Sequence, residues 1–314
     1  MLARNALDAI GSTPLVRLEA FEPQRGAQIW LKLEGANPTG SYKDRMAASV
    51  LGHAMACGDV RPGDRVVEYT GGSTGTALAF VAAVLGLKFT AVFSDAFSDS
   101  KRLAMEAFGA EVLVEPSSGG AITPELIARM KARAHALAAE PGSFYADQFG
   151  SPQVRRGYEA MGLEIAGDLD RGVDALVAAV GTGAALMGTA DGLRKAGVEP
   201  ALFALEPLQS PRLTTGQGGA HHVEGIGVGF DPPFLDRSRL QDIRVVDQDR
   251  AFEMCRRLAR EAGILAGGST GVNVVAAIEL AREIGPGRRI VTLACDNGMK
   301  YLGGPIYRPP GSSP

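Results

Sequence analysis

Residues 65–93 read RVVEYTGGSTGTALAFVAAVLGLKFTAVF. Arg65–Glu68 is a short β-forming run, and Thr70–Gly75 is a turn rich in glycine and hydroxyl side chains. Thr74–Leu85 is long and continuous enough for a helix, and Phe89–Phe93 is a second apolar strand. Gly86 and Lys88 interrupt the apolar stretch Thr76–Phe93, so it reads as a helix followed by a buried strand and not as a membrane span. Strand, glycine turn, helix and strand in this order make one parallel unit.

The same alternation continues on either side. Lys101–Phe108 reads as a helix, Glu111–Val114 as a strand and Pro124–Ala139 as a helix. After a break near residue 145, Ala175–Val180 is a strand, Gly181–Gly183 a turn, Ala185–Lys195 a helix and Ala201–Leu205 a strand. Ile290–Ala294 is the last strand. The expected fold is therefore α/β, with two domains, each a twisted and mainly parallel sheet with helices on both faces. The tail Arg308–Pro314, rich in Pro, Gly and Ser, is expected to be mobile.

The bulk composition is that of an ordinary globular chain. A net charge of -3 and the lack of a basic stripe argue against a nucleic-acid partner. Cys57, Cys255 and Cys295 are scattered and odd in number, which gives neither a disulfide framework nor a zinc site and fits a cytoplasmic protein. The first residues lack the apolar core of a signal peptide. His53, His135, His221 and His222 fit no common ligand spacing, so no metal is expected.

Ligands in open parallel sheets bind beyond the carboxyl ends of strands. Four glycine-rich segments suit such places: Asn37–Arg45, Thr70–Gly75, Gly181–Gly188 and Gly267–Gly271. Glycine lets backbone N–H groups approach an anion, and a helix N-terminus adds a favourable dipole. Gly181-Thr-Gly-Ala-Ala-Leu follows a strong strand, but a dinucleotide fingerprint wants glycine where Leu186 stands. Glu206, at the end of the next strand, would be the ribose-binding acid. NAD binding and a ligand-free strand–helix turn are both open on these grounds. Thr39 or Ser41 reads as an N-cap, which places Lys43 in a first helical turn. There it is either a solvated lysine or, if partly desolvated, an amine of lowered pKa fit to act as nucleophile or base.

The segment Asn37-Pro-Thr-Gly-Ser-Tyr-Lys43-Asp-Arg resembles the Schiff-base segment of the cysteine synthase (O-acetylserine sulfhydrylase) and cystathionine β-synthase family. Gly11-Ser-Thr-Pro-Leu-Val resembles the family's opening segment, Glu68-Tyr-Thr-Gly-Gly-Ser-Thr-Gly75 its substrate-carboxylate loop, and Gln148-Phe its second carboxylate contact. Ala107-Phe-Gly-Ala-Glu, Gly181-Thr-Gly, Glu224-Gly-Ile-Gly-Val-Gly-Phe230, Gly268-Ser-Thr-Gly and Gly298-Met-Lys-Tyr-Leu follow in family order. The resemblance covers nearly the whole chain.

It implies the tryptophan-synthase-β fold, fold type II of the pyridoxal 5'-phosphate (PLP) enzymes. The smaller domain would be 37–147, and the larger would combine 1–36 with 148–314. Lys43 would be the catalytic residue and the Schiff-base link. Ser73, the loop Gly181, Thr182, Gly183, Ala184 and Ala185, and Asp296 would bind the cofactor. Thr70, Gly71, Gly72, Ser73, Thr74 and Gln148 would bind substrate. The implied reaction is β-replacement, making L-cysteine or an analogue from O-acetylserine plus sulfide through an α-aminoacrylate. A related β-eliminating lyase (a dehydratase or desulfhydrase) is the alternative, and a non-catalytic homologue a third. A homodimer and a serine acetyltransferase partner are implied too. The chain departs from the family's Thr-Ser-Gly-Asn-Thr-Gly loop at Gly71 and Ser73, which would leave room over the cofactor. Ala184 and Ala185 stand for Gly-Thr, and Cys295 and Asp296 for Pro-Ser. On that alignment Asp296, or Asn297 one register on, meets the pyridine nitrogen.

Overall fold

The structure, a computed structural model, describes residues 2–120, 122–170, 172–227 and 229–308. Most of the expected C-terminal tail lies outside these. The strands are β1 (Leu15–Arg17), β2 (Gln28–Leu33), β3 (Arg65–Tyr69), β4 (Lys88–Ser94), β5 (Glu111–Glu115), β6 (Ser143–Tyr145), β7 (Ala175–Ala179), β8 (Ala201–Pro207), β9 (Leu240–Val246) and β10 (Arg289–Ala294). The helices are α1 (Lys43–Cys57), α2 (Ser73–Leu85), α3 (Asp99–Ala107), α4 (Pro124–Ala138), α5 (Pro152–Arg156), α6 (Glu159–Asp168), α7 (Ala184–Lys195), α8 (Arg212–Thr215), α9 (Gln248–Ala262) and α10 (Gly268–Ile284).

Two compact units result: Met1–Ile10 with Lys43–Gly157, and Gly11–Tyr42 with Tyr158–Pro314. Against the expected 37–147, the chain's first residues group with the first unit, where the 3-10 turn Ala6–Ala9 packs on α2. Residues 37–42 group with the second.

The first unit holds a four-stranded sheet in the order β5-β4-β3-β6, with every pairing parallel. Val67 and Tyr69 of β3 and Val92 of β4 form a core with Leu126, Met130 and Ala134 of α4. Because side chains alternate along a strand, Val66 and Ala91, both fully buried, lie on the other face. Helix α2 is apolar nearly all round and ends on Gly86, whose left-handed φ of 70° closes the helix and releases β4.

The second unit holds a six-stranded sheet in the order β1-β2-β10-β7-β8-β9. Only the β1–β2 pairing is antiparallel. Ala175, Val177 and Ala179 of β7 pack with α9 and α10 in one cluster. Leu176 and Ala178, on the opposite face, are buried as well, and α7 packs on β7 and β8. The sheet is thus covered on both sides, as a parallel sheet requires. Asn273 of α10 ties this core: its Oδ1 accepts from Ala179 N–H at 2.7 Å, and its Nδ2 donates to Leu293 O at 2.7 Å.

Candidate active site

Two clusters of the expected residues form, one in each unit. In the first, β3 turns into α2 around Thr70, whose Oγ1 accepts from the N–H groups of Gly72 and Gly75, each at 3.0 Å. Gly72 has φ +147°, and a Cβ there would meet Lys101 Cδ at 2.2 Å, so only glycine fits. The N-cap of α2, Gly72, has no side chain, and Thr70 Oγ1 takes only the Gly75 N–H of the first turn. The N–H groups of Ser73 and Thr74 have no intrahelical acceptor and form a ready anion site. Thr74 Oγ1 donates to Gln148 Oε1 at 2.9 Å, and Gln148 Nε2 donates to Tyr69 O at 3.0 Å. Thr70, Gly71, Gly72, Ser73, Thr74 and Gln148 are thus one local assembly. Lys43 opens α1 and is half-buried.

Glu68 carries no expected role, yet it lies under this assembly. It is fully buried, and its carboxyl accepts from Gln148 N–H at 2.9 Å and Tyr69 N–H at 3.1 Å. Burial, aided by the nearby Asp147 charge, pushes its pKa up to about 8 against the pull of those two donors and of the Tyr145 hydroxyl. An acidic residue ending an otherwise apolar strand was the available signal.

Gly71 corrects one expectation. A Cβ at this position would lie 2.8 Å from Phe97 Cε1 and 3.1 Å from Cζ. The space a serine would take is filled by the Phe97 ring, so the glycine does not leave room there.

In the second unit, the approach to Lys43 is held by a buried polar network. Thr13 Oγ1 donates to Glu34 Oε1 at 2.6 Å, and Asn37 Nδ2 donates to Glu34 Oε2 at 2.8 Å. Asn37 Oδ1 accepts from Gly11 N–H at 2.9 Å, and Tyr42 N–H donates to Cys295 O at 2.9 Å. The opening segment and the segment before Lys43 are therefore one construction. Ser41 pairs with Asp296 in an isolated bridge, and its hydroxyl lies 3.5 Å from Cys295 O.

The turn from β7 to α7 is the second uncapped helix start. Gly183 is left-handed at φ 82°, and Ala184 N–H reaches Thr182 Oγ1 at 3.3 Å. Gly181 lies so close to the 224–230 loop that a Cβ would meet Gly225 O at 2.3 Å. That loop is fastened by Gly227 N–H to Val180 O at 3.2 Å, and His221 Nε2 lies 3.1 Å from Gly227 O. Val228 of this loop lies outside the described residues.

Glu206 is not poised for a ribose. It is buried and accepts from Leu213 N–H at 2.6 Å, Thr214 N–H at 2.9 Å and Thr214 Oγ1 at 2.8 Å, holding the start of α8. The acid that a dinucleotide site would need is already engaged.

The chain matches the family model described as pyridoxal-phosphate dependent enzyme over residues 6–296. It is 38% identical over 305 residues to a cysteine synthase of Staphylococcus aureus, covering 96% of each chain. The chain belongs to the PLP-dependent enzymes of the cysteine synthase type. It is also 37% identical over 303 residues to O-ureido-L-serine synthase of Streptomyces lavendulae, covering 96% of this chain and 91% of that one. The solved cysteine synthase of Entamoeba histolytica superposes with a TM-score of 0.91 at 30% identity, covering 100% of this chain and 93% of that one. Fold type II and the use of PLP follow, and the reaction is β-replacement of the O-acetylserine sulfhydrylase kind.

Residues of this cysteine synthase-type chain fit the cofactor's needs. The uncapped α7 start, with Gly181, Thr182, Gly183, Ala184 and the half-buried Ala185, offers backbone donors suited to a phosphate. In the first turn of α10, Thr270 Oγ1 is fully buried and has no hydrogen-bond partner among the described residues. Such an atom suits a ligand heteroatom. Sequence reading singled out the Gly267–Gly271 segment but gave its hydroxyls no role.

Asp296, buried at the end of β10, accepts from Tyr301 O–H through Oδ2 at 2.5 Å. Its Oδ1 lies where a Cβ on Gly267 would stand, 2.3 Å from that position. Asn297 is turned elsewhere: its Oδ1 accepts from Met299 N–H at 3.2 Å, and its amide abuts Gly40. No group of three or more metal-ligating side chains forms among the described residues, and none of their helices is long and apolar enough to cross a membrane.

Proposed function

We propose that the chain makes L-cysteine or a close analogue from O-acetyl-L-serine, or a similarly β-activated serine, with sulfide as the nucleophile. The observation that carries this is the Thr70–Thr74 turn joined to Gln148 through Thr74, in a chain so similar to cysteine synthases. In this reading the uncapped start of α2 and the hydroxyls of Thr70, Ser73 and Thr74, with Gln148, bind the substrate carboxylate, a charge-assisted contact. Lys43 would hold the cofactor through its amine, and that amine, when free, would take a proton from the substrate Cα and later return it. The backbone N–H groups from Gly181 to Ala185 hold the phosphate. When bound, PLP takes up the electron pair left at Cα. Asp296, or the Ser269 and Thr270 hydroxyls at the start of α10, would meet the ring nitrogen. The protein is a homodimer, and a serine acetyltransferase is its protein partner.

The test compares cysteine formed from O-acetyl-L-serine and sulfide with pyruvate formed from O-acetyl-L-serine alone. Cysteine as the dominant product supports the proposal. Pyruvate formed as fast with or without sulfide overturns it in favour of a β-eliminating lyase, and neither product overturns it outright.

A further inference from the structure

The carboxylate assembly depends on more than the residues that would touch the substrate. Gln148 is fixed at three points. Its side-chain oxygen accepts from Thr74 Oγ1 at 2.9 Å, and one N–H of its amide donates to Tyr69 O at 3.0 Å, which leaves the second N–H for a ligand. Its backbone N–H is spent on the Glu68 carboxyl at 2.9 Å. The other Glu68 oxygen takes Tyr69 N–H, from the residue whose carbonyl receives the Gln148 amide. One buried carboxyl thus fastens both chains that frame the turn: the end of β3 and the loop after β6.

The backbone between them is not relaxed. Asp147, directly before Gln148, has φ +52°, a left-handed conformation that a non-glycine residue adopts only when its surroundings hold it there. Two turn bonds, from Gly150 and Ser151 N–H to Asp147 O at 3.1 and 2.9 Å, hold its C-terminal side. Glu68 takes the N–H of that same peptide, from Gln148, and on the N-terminal side Ala146 N–H donates to Val67 O at 3.1 Å. Tyr69 and Phe149 stack at 5.7 Å across the same junction.

We infer that Glu68 is a positioning residue for substrate-carboxylate recognition, acting through the Gln148 backbone. The inference rests on the reading above that Thr74 and Gln148 bind the carboxylate. Glu68 touches no reacting atom. It sets where the Gln148 amide sits, and through Thr74 where the first turn of α2 sits. A glutamine at position 68 puts an NH₂, which cannot accept, where the carboxyl has an oxygen that accepts a backbone N–H whether or not the group carries a proton. One of the two backbone bonds must break, and Gln148 becomes free to shift.

The test uses the PLP-loaded enzyme and reads binding by the change in cofactor absorption. The probes are L-serine and L-serinamide, which differ in the carboxylate. For Glu68→Gln, affinity for L-serine falls about tenfold, while affinity for L-serinamide changes less than about threefold. If the Gln variant does not yield folded holoenzyme, Glu68→Asp, which draws the carboxyl back by one methylene, is read on the same pair. Equal losses for both probes, or no loss for either, overturn the inference. Gln148→Ala on the same pair separates the two levels. If it loses the preference for L-serine and Glu68→Gln keeps it, the positioning role alone fails. If Gln148→Ala keeps it too, the carboxylate reading fails, and the inference with it.

Discussion

Gly71 and Phe97 should be energetically coupled, and the strength of that coupling can be worked from their contact. The Cβ introduced by Gly71→Ser would lie 2.8, 3.1 and 3.2 Å from three carbons of the Phe97 ring. Carbon atoms prefer about 3.5–4.0 Å, so the ring must withdraw by roughly 0.7 Å or more. It is not free to do so, because Phe93 packs against it with ring centroids 5.4 Å apart. Overpacking of a buried site costs about 1–3 kcal/mol, and a half-exposed ring should place this one near the lower end, about 1–2 kcal/mol. Phe97→Ala removes the obstacle, so adding Gly71→Ser to it should cost almost nothing. The cycle of four proteins, followed by thermal or urea unfolding, should return a coupling of about 1–2 kcal/mol. If Gly71→Ser alone is as stable as the parent, or if the two changes simply add, the ring does not occupy the serine's place. The glycine would then be an opening in the loop after all.

Four further outcomes are expected. Lys43→Ala should lower β-replacement by about 10²–10⁴-fold and abolish the lysine-linked cofactor absorption; full activity refutes its role. The raised Glu68 pKa means the folded protein keeps a proton that the unfolded chain has released between about 4.5 and about 8. Its stabilising contribution is complete below that window and declines by up to about 1.4 kcal/mol per pH unit as pH rises through it. Glu68→Gln should remove that slope, and parallel stability curves for variant and parent would contradict the assignment. Glu206→Ala should leave three donors unsatisfied and cost about 2–3 kcal/mol in urea unfolding while cofactor absorption is unchanged. Asp296→Asn removes a carboxylate charge but keeps an oxygen for Tyr301, so the cofactor's absorption should titrate differently with pH; an unchanged titration assigns the ring nitrogen to Ser269 or Thr270.

The elements legible in the sequence are those whose stability is local. The run from β3 to β5 and the β7–α7–β8 unit were expected nearly to the residue, because apolar strands, glycine turns and apolar helices follow one another without interruption. The expected strands omit β1, β2, β6 and β9. Two of these are only three residues long. Strand β9 is an edge strand with Gln241, Asp242 and Arg244 within it, a composition that reads equally well as loop. Strand β2 carries Lys32 next to its last residue, and a lysine argues against a buried strand. Yet Lys32 is fully buried, donating to Thr13 O at 2.6 Å and pairing with Glu164 at 2.9 Å. No local pattern announces partners 19 residues before and 132 residues after it.

The candidate site divides along the same line. Glycines and hydroxyls around Thr70–Gly75 and Gly181–Gly183 were visible because a backbone that approaches an anion needs those residue types at those spacings. What the side chains are for depends on partners that only folding supplies. Asn37 stands in the lysine segment because Glu34 and Gly11 N–H are there to meet it, and Thr13 stands in the opening segment to hold the other oxygen of Glu34. Gly71 reads as a lost hydroxyl until Phe97 is seen against it. Each departure from the family pattern is therefore best judged with the residue that fills its space. On that footing Gly71 is half of a pair with Phe97, and Asp296 is half of a pair with Tyr301, whose hydroxyl it accepts.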